Sequence, residues 1–271
     1  MSIQKHYSRG GLTDRILNAL KESGLDPDAL TYGDLAALDQ FHTRGRDGTM
    51  DLVKLCGVRS NMQVLDVGCG IGGPARLLTA ELGCKVTGID LTREFCETAG
   101  TLSRLVKVPV EYRQADALDL PFAEASFDVV WTQHVAMNIE DKDRLYAEVF
   151  RVLRPGGRFA LYDVVAGGAG QPHFPVPWAS QPEFSFLIPA EAVREKLEAA
   201  GLCVLHFEEC AGEALEWFQK RAADGPHKLS LQLIMGPEFA VMVANQVRNL
   251  AEGRAGMLRA VCEKTPEVEL H

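Results

Sequence analysis

Three acids stand where chemistry could gather. Asp66 closes the apolar run Val64-Leu-Asp66, and Gly68, Gly70, Gly72 and Gly73 follow it. Asp90 closes a second run, Lys85-Val-Thr-Gly-Ile-Asp90, and Asp116 a third, Val110-Glu-Tyr-Arg-Gln-Ala-Asp116. An amphipathic stretch begins at Ala75, so the first acid and its glycines read as strand, tight turn and helix. Glycine lacks a Cβ, so such a turn can open its dihedrals and lie close to a ligand. The free N–H groups of the following helix point at the same spot. The loop reads as a seat for a nucleotide-like molecule. An acid about twenty residues past the turn, as Asp90 is, can accept from a ribose diol. Asp116 could accept an adenine amino group, with Leu118 packed on the ring.

The glycines alone fit two cofactors. Gly68, Gly70 and Gly73 satisfy the dinucleotide pattern G-x-G-x-x-G, whereas Gly68, Gly70 and Gly72 satisfy G-x-G-x-G. A carboxylate at Asp66 would repel a pyrophosphate and suits an ammonium or hydroxyl donor. S-adenosylmethionine presents an ammonium, a ribose diol and a sulfonium, and no phosphate. A nicotinamide-dependent dehydrogenase would explain the glycines but not Asp66. A non-catalytic protein that keeps the cofactor pocket would share the whole loop.

Residues 63 to 165 resemble a class I S-adenosylmethionine-dependent methyltransferase. The resemblance rests on Val64-Leu-Asp-Val-Gly-Cys-Gly-Ile-Gly72, Thr87-Gly-Ile-Asp90, Gln114-Ala-Asp-Ala-Leu118, Leu120-Pro-Phe122 and Ser126-Phe-Asp-Val-Val130. It continues through Glu148-Val-Phe-Arg-Val-Leu-Arg-Pro-Gly-Gly157 and the strand from Arg158 to Asp163. It implies an α/β fold: a Rossmann-like, seven-stranded, mostly parallel sheet with helices on both faces. It also implies that Asp66, Gly68 and Gly70 line the methionine half, Asp90 with Leu91 holds the ribose, and Asp116 with Ala117 frames the adenine. Arg154-Pro-Gly-Gly157 reads as scaffold, a turn into a strand.

The acceptor side is sparser, because an activated methyl compels few residues. Alignment of the reactants and exclusion of water do most of the work. Three groups are candidates. Thr132-Gln133-His134-Val-Ala-Met137-Asn138 follows the fourth strand. His134 could take a proton, since histidine titrates near neutrality, or with Gln133 could bond the methionine portion. Asn138 could orient a substrate or cap the helix beginning near Asp141. Asp39-Gln-Phe41-His42-Thr-Arg44-Gly-Arg46 precedes the core. There Arg44 could pair with a carboxylate of cofactor or substrate, and Phe41 could shield a sulfonium. Beyond the fifth strand, Tyr162, His173 and Trp178 could line an acceptor pocket, on a loop stiffened by Pro172, Pro175 and Pro177.

A narrower likeness joins Gln40-Phe-His-Thr-Arg-Gly45, Trp131-Thr-Gln-His-Val135, Met137-Asn138 and Leu161-Tyr-Asp-Val164. These segments resemble sarcosine/dimethylglycine N-methyltransferases and the ubiquinone/menaquinone C-methyltransferase group. They imply the amine of a glycine derivative as acceptor, its carboxylate held by Arg44 or Arg46 and its proton taken by His134. The rival is an O- or C-methyltransferase of an aromatic, quinone or other natural product.

The elements that position these residues fall in three parts. Residues 1–60 read as an N-terminal helical cap, with Thr13 capping a helix of Ile16, Leu17 and Leu20, and with Thr31-Tyr-Gly-Asp34 as a capping-box-like start. Residues 61–271 read as the methyltransferase core. Leu145, Val149, Val152 and Leu153 mark one helix face in it, and Pro189 and Gly201 bracket another helix. A helical insertion is expected at about 211–253 before a final strand from Ala255 to Cys262. Its stripes are Leu215, Phe218, Ala222 and, past a break at Gly225-Pro226, Phe239, Val243, Val247 and Leu250.

The chain has 271 residues and a formal net charge of −9, with no basic block. That argues against a nucleic-acid partner. No apolar run reaches the length of a membrane span, and Met1-Ser-Ile-Gln-Lys is no secretory leader. The seven cysteines lie apart, with no Cys-x-x-Cys and no zinc spacing. No metal is expected, and a reducing, cytoplasmic setting is. The expected partner is a small-molecule substrate, and the apolar insertion helices leave room for a homodimer.

Overall fold

The computed structural model describes residues 10–223 and 231–265. Four helices lead to and follow the first strand: α1 (Leu12–Glu22), α2 (Ala36–Asp39), α3 (Gly45–Cys56) and, after β1 (Gln63–Val67), α4 (Gly73–Leu82). The chain continues through β2 (Lys85–Asp90), α5 (Arg93–Leu105), β3 (Glu111–Gln114), β4 (Phe127–Gln133), α6 (Lys142–Val152) and β5 (Leu153–Ala166). It ends with α7 (Ala190–Ala199), β6 (Leu202–Glu209), α8 (Ala211–Ala223), α9 (Gln232–Met235), α10 (Phe239–Ala251) and β7 (Ala255–Lys264).

The seven strands form one sheet in the order β3-β2-β1-β4-β5-β7-β6. All neighbours are parallel except β7, which runs antiparallel to both β5 and β6. This is the Rossmann-like, mostly parallel arrangement expected. Strand order reverses direction between β1 and β4, and such a switch leaves a crevice at the carboxyl ends of the strands. Asp66 stands at that edge, in register with Gly88 of β2 and Trp131 of β4. The central strands are apolar nearly throughout, as sheets covered on both faces require; β4 and β5 bury Val129, Val130, Trp131, Phe159, Ala160 and Leu161.

Local chemistry moved several boundaries. Helix α1 begins at Leu12, so Thr13 lies inside its first turn, where its hydroxyl bonds that of Thr98. The cap comes instead from α5: the Glu94 carboxylate accepts from the Leu12 N–H at 2.9 Å. An acid from a neighbouring helix satisfies a first-turn donor as a local cap would. Thr31 and Asp34 do meet, with Asp34 accepting from both the N–H and the hydroxyl of Thr31. Leu153 begins β5 rather than ending α6. Pairing with β4 jumps from Phe127↔Leu153 to Val129↔Arg158, so Arg154–Gly157 loops out as the turn that its Pro and Gly encode.

In α10 the buried residues are Met242, Gln246, Asn249 and Leu250. The expected line of Phe239, Val243 and Val247 is only half-buried, because two amides claim the inner face. Gln246 donates to Thr43 Oγ1 at 3.3 Å, and Asn249 pairs with the backbone of His173 at 2.7 and 3.0 Å. In α8 Ala214 is buried and Ala222 exposed. The expected break at Gly225-Pro226 and the segment Met1–Lys5 lie outside the described residues. Among the described residues no helix is long and apolar enough to cross a membrane.

One buried charge ties the N-terminal helices to the sheet. Arg76 of α4 is fully buried. Its Nη2 donates to Asp39 Oδ2 at 2.8 Å and to the Ile71 carbonyl at 2.7 Å, and its Nη1 donates to Ser103 Oγ at 3.1 Å. A buried charge stripped of its partner is strongly destabilising. Arg76→Ala should therefore lower the unfolding free energy by about 3–5 kcal/mol in chemical denaturation, and adding Asp39→Asn should recover much of that loss. An unchanged midpoint in the single variant would show that Asp39 reaches water.

Candidate active site

The glycine turn is built around Asp90. Gly68 and Cys69 donate their N–H groups to the Ile89 carbonyl at 2.8 and 2.9 Å. Asp90 Oδ2 accepts from the Gly70 N–H at 3.0 Å, and its Oδ1 from the Thr92 N–H at 2.8 Å. Both oxygens keep a lone pair for a ligand diol. Burial pushes the Asp90 carboxyl up, and the two N–H groups oppose that. Gly68 has φ +73, and a Cβ there would lie 2.4 Å from Val135 Cγ2. Only glycine fits a left-handed backbone under so close a neighbour. At Gly70 the near neighbour is the Phe41 ring, which also meets Phe95 edge-on at 5.7 Å.

Asp66 is the anomaly of this edge. It is buried, and its Oδ2 has no hydrogen-bond partner. Burial, with Asp90 nearby, pushes its carboxyl up to about 7. A buried acceptor left unpaired is costly, and such groups concentrate at functional sites. An ammonium would supply the missing donor and charge, so the chemistry of the edge fits S-adenosylmethionine. Leu91 is 37% exposed and Ala117 and Leu118 half-buried. Asp116 is exposed, with Oδ1 accepting from the Leu118 N–H at 2.9 Å.

Beside this edge the structure gathers three rings from three segments. His134 and Tyr162 lie 5.4 Å apart between centroids, His42 and His134 6.2 Å, and His42 and Tyr162 6.3 Å. His134 sits in left-handed backbone, φ +57, with its N–H bonded to the Tyr162 carbonyl at 2.8 Å. A non-glycine residue held there is strained, and the turn after β4 imposes it. Asp163 fixes the same turn by accepting from the Ala136 N–H at 2.6 Å. Burial holds His42 down at about 4, and burial with His42 nearby holds His134 well below the usual histidine range. Both imidazoles are neutral at ordinary pH. His134 Nε2, Tyr162 OH, Thr132 Oγ1 and Gln133 Nε2 are buried without partners, all at the carboxyl ends of β4 and β5.

Other expected residues have local partners. Arg44 pairs with Asp51 at 2.7 Å and Glu213 at 2.8 Å, and Arg46 makes two bonds of 2.8 Å to Glu81. Any ligand carboxylate would have to compete with those acids. Asn138 donates to the Trp178 carbonyl at 2.7 Å and so fastens the loop after β5; Asp141, not Asn138, caps α6 through the Arg144 N–H. Trp178 is buried with Met137 and Tyr162, its Nε1 donating to Ser185 Oγ at 2.9 Å. His173 bonds Glu252 at 2.9 Å. Gln133 Oε1 accepts from Trp131 Nε1 at 2.8 Å and from Thr49 Oγ1 at 3.2 Å, and Thr49 also meets His42 Nε2 at 3.0 Å. Thr49, Gln246 and Asn249 were not singled out from sequence; the amide-rich run Asn245-Gln246-Val-Arg-Asn249 was the available signal.

Strand order, glycine turn and strand-end acids define the fold of class I S-adenosylmethionine-dependent methyltransferases. Residues 65–161 match the family described as a methyltransferase domain. Methyltransferase GfsG of Streptomyces halstedii is 36% identical over 146 residues, covering 52% of each chain. The 27-O-demethylrifamycin SV methyltransferase of Amycolatopsis mediterranei is 36% identical over 132 residues, covering 47% of each. The matched part thus spans about half the length of these curated relatives. The solved structure of the (4+2)-cyclase SpnF superposes with a TM-score of 0.67 at 23% identity, over 95% of both chains; that likeness speaks for the fold alone.

Gly68→Ala places a methyl 2.4 Å from Val135 in a backbone that disfavours it. Affinity for S-adenosylhomocysteine, measured by calorimetry, should fall at least about tenfold, or 1.4 kcal/mol. Adding Val135→Ala should restore only part of it, since the positive φ remains.

Proposed function

We propose that this chain transfers a methyl group from S-adenosylmethionine to a small, uncharged acceptor. The observation that carries the reading is the partnerless Asp66 oxygen at a sheet edge whose next acid, Asp90, already orders the glycine turn. Asp66 would take the cofactor's ammonium and Asp90 its ribose diol. Asp116, Ala117 and Leu118 would frame the adenine, Leu91 would flank the ribose beside Asp90, and Gln133 would face the methionine end. When bound, the cofactor supplies a methyl already activated on a sulfonium. The protein's share is to align the acceptor, exclude water and hold a proton acceptor in its neutral form. His134 meets the last need, because burial keeps its imidazole uncharged.

The choice of acceptor turns on charge. A glycine derivative of the sarcosine type needs a free cation for its carboxylate, and both candidates, Arg44 and Arg46, already hold acids. Of the expected lining, Phe41, His42, Met137, Tyr162, His173 and Trp178, all but His173, which bonds Glu252, are aromatic or apolar and uncharged, His42 being held neutral by burial. That balance supports the O- or C-methylation of an aromatic or polyketide-like compound over an amino acid. The relative named for 27-O-demethylrifamycin SV agrees with that class. A second reading rests on the glycine loop itself: a non-catalytic protein that holds the cofactor without passing on its methyl would keep the same turn and the same Asp66 and Asp90.

A panel of phenols, quinones and glycine derivatives, incubated with protein and cofactor, should show a gain of one methylene unit by mass spectrometry on a phenol or quinone. Gain only on glycine derivatives would reverse the acceptor choice; gain on none, with the cofactor bound, would favour the second reading. Asp90→Ala should weaken cofactor binding at least about tenfold, equal to 1.4 kcal/mol.

Asp66 also sets a pH dependence. Its folded carboxyl titrates near 7, above the ordinary range, so the folded protein holds a proton there that the unfolded chain has released, and stability falls as pH rises toward 7. An ammonium beside it favours the ionised form and expels that proton. Cofactor affinity should therefore rise with pH below 7, by up to about tenfold per unit, and level off above. Calorimetry in buffers of different ionisation enthalpy should detect the released proton, and Asp66→Asn should bind weakly at every pH.

A further inference from the structure

We infer that the acceptor carries two neighbouring hydroxyls, one that is methylated and one held by His42, which makes His42 a specificity-determining residue; this rests on the methyl-transfer reading above. One buried hydrogen-bond chain has a fixed direction. Trp131 Nε1 can only donate, and it meets Gln133 Oε1 at 2.8 Å. The Gln133 amide is therefore turned so that its Nε2 is a donor elsewhere, buried without a partner. The Gly45 carbonyl can only accept, and it meets His42 Nε2 at 2.8 Å. His42 therefore carries its proton on Nε2. Thr49 Oγ1, 3.0 Å from the same nitrogen, accepts there and gives its own proton to an amide oxygen, Gln133 Oε1 at 3.2 Å or Gln40 Oε1 at 3.3 Å. Burial keeps the His42 ring neutral. A neutral imidazole protonated at Nε2 offers one acceptor, Nδ1.

That ring stands in a group of three. Its centroid lies 6.2 Å from that of His134 and 6.3 Å from that of Tyr162, edge-on to each. At that spacing the nitrogens of the two imidazoles are out of bonding reach of one another. His134 Nε2 and Tyr162 OH are buried without partners. Oxygens on neighbouring carbons, each bonded over about 2.8 Å, span the gap between two such rings. Nδ1 of His42 needs a donor. A hydroxyl supplies one and stays uncharged, whereas a protonated amine would set a second positive charge beside the sulfonium.

The hydroxyl beside His134 reacts. Its oxygen bonds the methyl carbon, the sulfur keeps the electron pair of the broken carbon–sulfur bond, and the proton passes to His134. The hydroxyl beside His42 keeps its proton and fixes the acceptor's rotation in the crevice. Turned round, the product would offer Nδ1 a methoxy oxygen, which cannot donate. Transfer therefore stops after one methyl.

Ethyl caffeate, with adjacent hydroxyls, and ethyl coumarate, with one, form the test pair. Calorimetry on the complex with S-adenosylhomocysteine should find the caffeate about tenfold tighter, and His42→Phe should erase the difference. With S-adenosylmethionine the caffeate should gain one methyl and no second. Equal binding of the two esters, binding of neither, or a dimethylated product would overturn the pairing. NMR of the unaltered chain with isotope-labelled histidine needs no variant to fold. It should show His42 protonated at Nε2 and bare at Nδ1, with the Nδ1 signal shifting when the caffeate joins the complex. A proton on Nδ1 would overturn the assignment. Failure of S-adenosylhomocysteine to bind would sink the methyl-transfer reading itself, whereas its binding with no preference between the esters would sink the pairing alone.

Discussion

A single guanidinium, sealed from water, holds this architecture in register. Arg76 reaches the N-terminal segment through Asp39, the glycine turn through the Ile71 carbonyl, and α5 through Ser103. A charge in such surroundings is tolerable only if every partner is in place. The partners belong to three elements that otherwise share little sequence. Gly73 shows how closely they meet: a Cβ there would stand 2.1 Å from the Asp39 carbonyl oxygen. The turn and the preceding helices are therefore packed without room for a methyl between them, and the cover over the crevice is part of the same construction.

Above that foundation the crevice divides into two electrostatic halves. One half concentrates acidity in Asp66 and Asp90 beside oriented N–H groups. The other is neutral, with two uncharged imidazoles and a phenol, while Arg44 and Arg259 share Asp51 and Glu213 at its margin. The division suits a cationic donor meeting an uncharged acceptor. Loss of water raises the weight of each remaining interaction on both sides.

Much of this was legible in the residues, and the reason is distance along the chain. Asp66, Gly68, Gly70 and Asp90 announce their places at strand ends and in the turn within short windows, because a strand end and its turn are local events. The strands β1, β2, β4 and β7 were equally plain, since strands buried on both faces leave apolar runs whatever their direction. What stayed hidden depends on partners far away in sequence. Arg44 looks like a free cation until Glu213 folds against it. Thr13 looks like a cap until Glu94 takes that task. The inner face of α10 looks apolar until Gln246 finds Thr43. In each case a polar group chose a distant neighbour over the local option that its sequence context offered.

The N-terminal side of the crevice clasps segments far apart in sequence: Thr43 and Arg44 come early, while Glu213 and Gln246 come late. During synthesis the early half emerges long before the residues it must clasp. Contacts of such wide separation form late, so a ribosome-bound fragment could acquire the central strands yet remain unable to enclose a ligand. Competence would then arrive almost at once, with the segment that carries Glu213 and Gln246, rather than accumulating as the chain grows.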